Sequence, residues 1–175
     1  MSALQRPVNR QAMNRTPISA AKALDRLETL CARSEQCTFD LRRKLYRWGV
    51  GQRDADRIVA SLERNRFVDD ARFAHAYVLE KVRCSRWGRV KVRVGLLAKR
   101  IDRDIIDEAM EEEIDEREYR DNLLEVMRAK RRTVEDADSY EGKTRLFRYG
   151  ISRGYESAEV VKVLKGEALW RDEGY

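Results

Sequence analysis

The stretch VDDARFAHAYV, residues 68–78, allows two opposed interpretations: an acid–base site or the start of a helix. Asp69 and Asp70 precede His75, which is the only histidine in the chain. Facing residues on a helix lie three or four positions apart, whereas His75 follows Asp70 by five positions and Asp69 by six. The pattern therefore favours a helix start over a catalytic or metal triad, with His75 expected at the surface or boundary of the helix.

The same stretch has the pattern of a capped helix. Asp69 fits the N-cap position, and Val68 and Phe73 fit the hydrophobic staple that packs across such a start. Asp70 adds negative charge to the first turn, where the helix dipole favours it. This arrangement recurs as IDEREYRDNLL (114–124), with Asp115 as the cap, and more weakly as ISAAKALDRLE (18–28).

A second marker recurs in the same order, as LYRWGV (45–50), LLAKRI (96–101) and LFRYGI (146–151), at offsets of 51 and 50 residues. Two markers in one order indicate an internal repeat. Gly49 and Gly150 are expected to close their helices in the left-handed conformation, and Arg100 takes that position in the middle copy.

An amphipathic third helix follows each of these endings. The expected buried stripes are Ala55, Ile58, Val59 and Leu62; Ile105, Ile106, Ala109 and Met110; and Tyr155, Ala158, Val161 and Leu164. The segment RVKVRV (89–94) alternates like a strand, but the repeat places it on the second helix of the middle copy. We therefore predict a helix there, with one buried stripe of Val90, Val94, Leu97 and Ile101.

The predicted fold class is all-α, with three tandem three-helix repeats of about 50 residues stacked into an elongated, curved body. Only two prolines occur, and both precede the first periodic stretch. The expected organisation is a basic, flexible N-terminal tail (1–16), repeats at 17–67, 68–113 and 114–169, and a C-terminal tail (170–175).

The charge pattern follows the repeats. The net charge is +6, which favours association with polyanions. From Lys81 to Arg103, both included, the chain has nine basic residues and one acidic residue, Asp102. The segment EEEIDERE (111–118) is then acidic, and RAKRR (128–132) is basic again. Such runs indicate either a solvated face or a binding surface.

Known catalytic patterns are missing from the sequence. It contains no GxxxxGK[ST] loop, GxSxG elbow or HExxH pair. Cys31, Cys37 and Cys84 have no metal spacing and are expected to be reduced thiols. The N-terminus lacks the apolar core of a secretory signal, and no apolar run reaches the length of a membrane span. We therefore expect a cytoplasmic protein that is not an enzyme and has no cofactor or metal.

The sequence resembles the bacterial regulatory RecX family. The resemblance runs from about Pro17 to Leu169 and rests on VDDARFA (68–74), RWGRVKVRVGLLAKRI (86–101) and IIDEAM (105–110). The signature residues are Val68, Asp69, Asp70, Arg72, Phe73 and Ala74, followed by the glycine at Gly88.

This resemblance implies a monomeric negative regulator of RecA recombinase. Members bind the groove of the RecA filament on single-stranded DNA and restrain ATP hydrolysis, filament extension and strand exchange, and so act in DNA repair, recombination and the SOS response. The candidate surface for RecA or for DNA phosphates, single-stranded or duplex, is Lys81, Arg83, Arg86, Arg89, Lys91, Arg93, Lys99, Arg100, Arg103, Arg128, Lys130, Arg131 and Arg132.

Two alternatives stay open at the level of sequence. Three-helix units with tight turns also occur in helix-turn-helix transcription regulators, and a helical scaffold for another protein is a third possibility. Trp48 and Trp87 are flanked by basic residues, which suits either base stacking or packing.

Overall fold

The computed structural model describes residues 18–171, which divide into two compact units between Asp69 and Asp70. All regular elements over that range are helical, which confirms the all-α prediction. The first unit contains α1 (Ala20–Arg33), α2 (Thr38–Arg47) and α3 (Gln52–Arg64). The second contains α4 (Asp70–Leu79), a π-helical turn (Glu80–Cys84), α5 (Arg89–Ala98), α6 (Arg103–Glu113), α7 (Glu116–Arg131), α8 (Tyr140–Ser152), α9 (Ser157–Lys165) and a 3₁₀ turn (Glu167–Leu169). The N-terminal tail predicted at 1–16, and residues 172–175 of the C-terminal one, lie outside the described residues.

The first unit has one apolar core. The predicted α3 stripe of Ala55, Ile58, Val59 and Leu62 is fully buried, as expected, against leucines of α1 and α2. Trp48 is partly buried against this core, with the Arg26 guanidinium 5.8 Å from the centre of its ring. Trp48 therefore has a packing role.

The helix starts lie where the sequence places them. The Ser19 hydroxyl accepts a hydrogen bond from the Lys22 amide at 3.3 Å, and the Asp115 carboxylate accepts one from the Glu118 amide at 2.7 Å. Helix α4 begins at Asp70, directly after Asp69. Each repeat thus opens on a short polar residue, and the side-chain caps at Ser19 and Asp115 are formed as predicted.

The second helix of each repeat ends in the same hydrogen-bonded motif. The amides of Val50, Ile101 and Tyr155 donate to the carbonyls of Leu45, Leu96 and Gly150, five residues earlier, which is the long bond of a Schellman ending. The residue before each donor has positive φ: Gly49 (73°), Arg100 (59°) and Gly154 (88°). Arg100 therefore closes its helix in the same way as the glycines.

The predicted helix ending at Gly150 is wrong. Gly150 lies inside α8, which continues to Ser152, and Gly154 closes the helix instead. A Cβ at Gly150 would lie 2.8 Å from a Val160 methyl, so glycine here permits close packing of α9 on α8. The third-copy stripe shifts accordingly: Tyr155 and Val160 are buried, whereas Ala158 is exposed.

The predicted helix at residues 89–94 is confirmed, but its predicted buried stripe is wrong at three of four positions. Val90, Val94 and Leu97 are 51%, 60% and 39% exposed, whereas Val92 and Leu96 are fully buried. Of the predicted stripe only Ile101 is buried, and it follows the helix. The reason is the way in which the start of α5 docks, which fixes the rotation of the helix about its axis.

Candidate functional site

The start of α5 packs directly on the end of α8. The Gly88 amide donates to the Arg153 carbonyl at 2.9 Å, and the Val90 amide donates to the Gly154 carbonyl at 3.0 Å. A Cβ added to Gly88 would overlap the Gly154 carbonyl, and one added to Gly154 would overlap Lys91. The signature glycine therefore allows two backbones, from the second and third repeats, to meet.

A polar network surrounds this contact. The Tyr119 hydroxyl accepts a hydrogen bond from the Arg89 amide at 2.9 Å and donates one to Glu156 Oε2 at 2.6 Å. The Arg89 guanidinium pairs with Glu116, lies 3.3 Å from Glu156 Oε1, and is 4.2 Å from the centre of the Tyr119 ring. Tyr155 packs against Tyr119 with ring centres 5.1 Å apart and ring planes tilted by 44°.

Burial and charge shift the pKa values of this network. Burial and the hydrogen bond to Glu156 raise the pKa of Tyr119 well above its usual range, and burial raises the pKa of Tyr155 to about 12. Burial opposes the charge on Arg89, but the Glu116 and Glu156 carboxylates outweigh it, so the pKa of Arg89 is raised. At neutral pH the tyrosines are therefore neutral and Arg89 is charged.

The acidic and basic runs of the sequence meet inside the second unit. Arg83 Nε lies 3.3 Å from Glu118, and Arg86 Nη2 lies 2.6 Å from Glu125, so carboxylates of α7 face the basic segment before α5. Arg153 adds hydrogen bonds to the Ser85 and Arg86 carbonyls. Arg83, Arg86 and Arg89 belong to the binding surface predicted from the sequence, and in the structure they also form contacts between repeats.

Lysines of the predicted surface lie over aromatic rings. The ammonium groups of Lys81 and Lys91 are 5.1 and 4.3 Å from the centre of the half-buried Trp87 ring, and Lys81 also pairs with Glu80 at 2.7 Å. Lys99 lies 5.4 Å from the centre of the Phe73 ring. These cation–π contacts order the lysine side chains while their charges stay near the surface.

The rest of the 81–103 segment lies around the α5–α6 turn. Arg93 Nη1 pairs with Asp107 at 2.5 Å, and both side chains are substantially exposed. Arg100 and Arg103 are exposed on the turn itself. This turn therefore presents the Arg100 and Arg103 side chains to solvent.

The second predicted cluster is built around the end of α7. Arg128 donates from Nε and Nη2 to the Ala168 carbonyl, at 3.2 and 2.9 Å, and Arg131 donates to the Trp170 carbonyl at 3.1 Å. Lys130 lies 5.4 Å from the centre of the Tyr149 ring. Arg132 is exposed and borders a cavity of about 580 Å³. Four of its six lining residues, Ala137, Asp138, Lys143 and Trp170, are not predicted from the sequence, because they lie outside the RAKRR run.

His75 lies beside two carboxylates of α6. His75 Nδ1 lies 3.1 Å from Glu113 Oε1 and 3.8 Å from Glu112 Oε2, so its charged neighbours are carboxylates of α6. His75 is about one quarter exposed, at the predicted boundary position. Within residues 18–171, no group of three or more His, Cys, Asp or Glu side chains is arranged to hold a metal ion. The helices over the same range are all too short or too polar to cross a bilayer.

Phe73 and Ala74 of the signature are buried in α4, and Arg72 is exposed. Val68 is buried in the core of the first unit. Gly95 lets α5 pack on α4, because a Cβ there would overlap the Tyr77 hydroxyl. Val68, Phe73, Ala74 and Gly95 therefore contribute to the packing of the fold.

Comparison with known proteins links this architecture to one family. A family model described as RecX, second three-helix domain, matches residues 69–110. The chain is 32% identical over 136 residues to a regulatory protein RecX of Clostridium acetobutylicum, a match that covers 72% of this chain and 59% of that protein. It is 28% identical over 151 residues to a regulatory protein RecX of Haemophilus influenzae, covering 85% of this chain and 97% of that protein.

Solved structures agree with the fold. A crystal structure of regulatory protein RecX superposes with a TM-score of 0.71 at 18% identity, over 83% of this chain and 71% of that one. RecX from Lactobacillus salivarius superposes with a TM-score of 0.69 at 16% identity, over 83% and 94%. These structures show the fold alone, and the chain spans only 59% of the Clostridium acetobutylicum relative. The matched second three-helix domain and the RecX relatives together place this chain in the RecX family.

Proposed function

We propose that the protein is a negative regulator of RecA recombinase. It binds the groove of the RecA filament on single-stranded DNA and restrains ATP hydrolysis, filament extension and strand exchange. Its setting is DNA repair, recombination and the SOS response in the cytoplasm, where it acts as a monomer without catalysis of its own. The observation that carries the proposal is membership of a family whose proteins are named regulatory, over 85% of this chain.

The charge distribution supports a refined contact surface. Arg83, Arg86 and Arg89 are engaged with carboxylates of α7 and with Glu156, so their charge is partly neutralised within the protein. The α5–α6 turn, with Arg100 and Arg103, is exposed. We therefore propose that this turn contacts acidic groups of the filament or DNA phosphates.

The test is an ATPase and strand-exchange assay with RecA on single-stranded DNA, in which this protein is titrated from substoichiometric to equimolar amounts. The expected result is inhibition of both activities and co-sedimentation with the filament. Unchanged activities together with no co-sedimentation would overturn the proposal, and sequence-specific binding to duplex DNA would favour the helix-turn-helix regulator instead.

The contact surface has its own variant pair. Arg100→Gln with Arg103→Gln is expected to raise the concentration needed for half-inhibition. Arg53→Gln with Arg64→Gln removes the same charge from exposed positions of α3 and is the matched control. Equal effects of the two pairs would mean that net charge alone matters. If about six residues of the whole predicted basic surface contact phosphates, affinity should fall about 10³-fold between about 50 and 200 mM salt.

A further inference from the structure

We infer that the cavity at the end of α7 is a nucleotide-binding subsite, which takes one unit of a single-stranded nucleic acid. The cavity has a volume of about 580 Å³ and is lined by Arg131, Arg132, Ala137, Asp138, Lys143 and Trp170. Three cations thus face one carboxylate around an indole. The inference rests on the proposed function only in the choice of a single strand as the source of the nucleotide.

The indole wall is built in advance of any ligand. The Trp170 ring nitrogen donates to the Leu164 carbonyl at 3.0 Å, and its backbone carbonyl accepts from Arg131 at 3.1 Å. Arg128 holds the Ala168 carbonyl with two hydrogen bonds, and the neighbouring Leu169 is fully buried. Two arginines of the basic run therefore hold the backbone that carries Trp170, and the Leu164 carbonyl orients its ring.

The opposite wall is an ordered turn. The Ser139 hydroxyl donates to the Asp136 carbonyl at 2.7 Å and accepts from the Gly142 amide at 3.0 Å, which caps α8. A Cβ at Gly142 would overlap the Asp136 carbonyl, so the turn lies tightly on the first turn of α8. Lys143 follows in the first turn of α8, with Nζ 5.3 Å from the centre of the Trp170 ring.

The chemistry of these walls matches a nucleotide. An aromatic face stacks on any base, and nearby cations meet the phosphate, which is the combination that binds single strands without sequence preference. A volume of about 580 Å³ lies within the range of small-molecule sites. Arg132 and Lys143 are exposed and supply the charge for the phosphate, whereas Arg131 already holds the Trp170 carbonyl. Asp138 disfavours a second phosphate nearby, which suits a single nucleotide unit.

An acidic protein segment is the competing ligand for such a cationic cavity. Its carboxylates would pair with the cations of the cavity, but it would place no planar ring against the indole. The fixed orientation of Trp170 therefore favours the nucleotide.

The experiment is fluorescence anisotropy of a labelled oligodeoxythymidine of about 15 nucleotides, titrated with the full chain without RecA. Arg132→Gln with Lys143→Gln is expected to weaken binding and to reduce the slope of log affinity against log salt by about 1 to 2. Trp170→Ala is expected to weaken binding about 5- to 150-fold, and Trp170→Phe is expected to retain most of the affinity. Circular dichroism of the Trp170→Phe protein checks that the fold is kept.

Arg53→Gln with Arg64→Gln is again the matched control, because it removes two charges from the first unit. Equal losses in the control and in the Arg132/Lys143 pair would overturn the inference, as would unchanged binding in that pair. Loss of association with the RecA filament while oligonucleotide binding is kept would also overturn it and assign the cavity to a protein segment.

Competition with thymidine monophosphate identifies the source of the nucleotide. If thymidine monophosphate displaces the labelled oligomer as well as unlabelled oligomer does at equal nucleotide concentration, the ligand of the cavity is a free nucleotide. If only the unlabelled oligomer displaces it, the ligand is a strand. Both outcomes support the nucleotide subsite. The RecA assays decide the proposed function separately, since a failed cavity leaves inhibition through the α5–α6 turn intact.

Discussion

Gly88 and Gly154 lie backbone against backbone, between the hydrogen bond from the Gly88 amide to the Arg153 carbonyl at 2.9 Å and the one from the Val90 amide to the Gly154 carbonyl at 3.0 Å. Gly154 is itself held at φ +88°, the left-handed closure of α8. One glycine thus belongs to the start of α5 and the other to the end of α8. Their contact joins the second and third repeats and determines which side of α5 faces solvent.

Gly88→Ala is expected to destabilise the second unit by about 1–3 kcal/mol, because the new methyl overlaps backbone that cannot move aside as a side chain can. The measurement is the urea midpoint, together with hydrogen exchange of the Val90 amide, which should become faster. Gly51→Ala is the control: no atom lies within 4 Å of its added Cβ, and the expected cost is below about 1 kcal/mol. Equal midpoints for the two variants would refute the backbone contact.

Leu96→Ala and Leu97→Ala compare neighbouring positions with the same chemistry. Leu96 is fully buried and Leu97 is 39% exposed. The Leu96 variant is expected to lose about 2–5 kcal/mol of unfolding free energy, and the Leu97 variant clearly less, since part of its side chain is in water already. A larger loss at Leu97 would restore the stripe predicted from the sequence and contradict the observed rotation of α5.

Local patterns were sufficient to predict the helix starts. The caps at Ser19 and Asp115 use only residues within three positions, so they can be read directly from the sequence. The ending at Gly49 was also recognisable from the repeat, whereas Arg100 departs from the glycine pattern and only the structure shows that it closes its helix. The third ending was misplaced at Gly150, because glycine serves two purposes: it closes helices, and it lets helices approach. Only the contact with Val160 distinguishes them.

The candidate site could be predicted less well than the fold, because charge in a sequence does not reveal its partner. Arg83 and Arg86 belong to a dense basic run, yet they face Glu118 and Glu125 more than thirty residues later in the chain. Lys143 and Trp170 gave no signal of their own, since the cavity forms only when distant segments meet.

Arg89→Met tests whether the partly buried ion pairs hold the repeats together. The Arg89 and Glu156 side chains are 24% and 34% exposed. Methionine removes the positive charge that pairs with the Glu116 and Glu156 carboxylates and lies over the Tyr119 ring. We expect the free energy of unfolding to fall by about 1–2 kcal/mol, which is less than for a fully buried ion pair. The measurement is the urea unfolding free energy.

The control for Arg89→Met is Arg93→Met, on the same helix. Its pair with Asp107 is 41% and 59% exposed, so the expected loss is below about 1 kcal/mol. A loss at Arg93 as large as that at Arg89 would mean that the network around Tyr119 adds nothing beyond an ordinary surface pair.

Tyr119→Phe is expected to change how stability depends on alkaline pH. The pKa of Tyr119 is raised in the folded protein, so the folded state keeps the phenol proton at pH values where the unfolded chain, with a pKa of about 10, releases it. The stabilisation is therefore complete below about pH 10 and decreases by up to about 1.4 kcal/mol per pH unit above it. Phenylalanine cannot ionise, so the variant should start less stable at neutral pH, by about 1–2 kcal/mol for the lost hydrogen bonds, and then show a shallower decline. Urea unfolding at a series of pH values from neutral to about 11 measures both effects. If the free energy of unfolding declines with pH equally in the two proteins, Tyr119 ionises as easily in the folded state as in the unfolded chain, and the prediction is wrong.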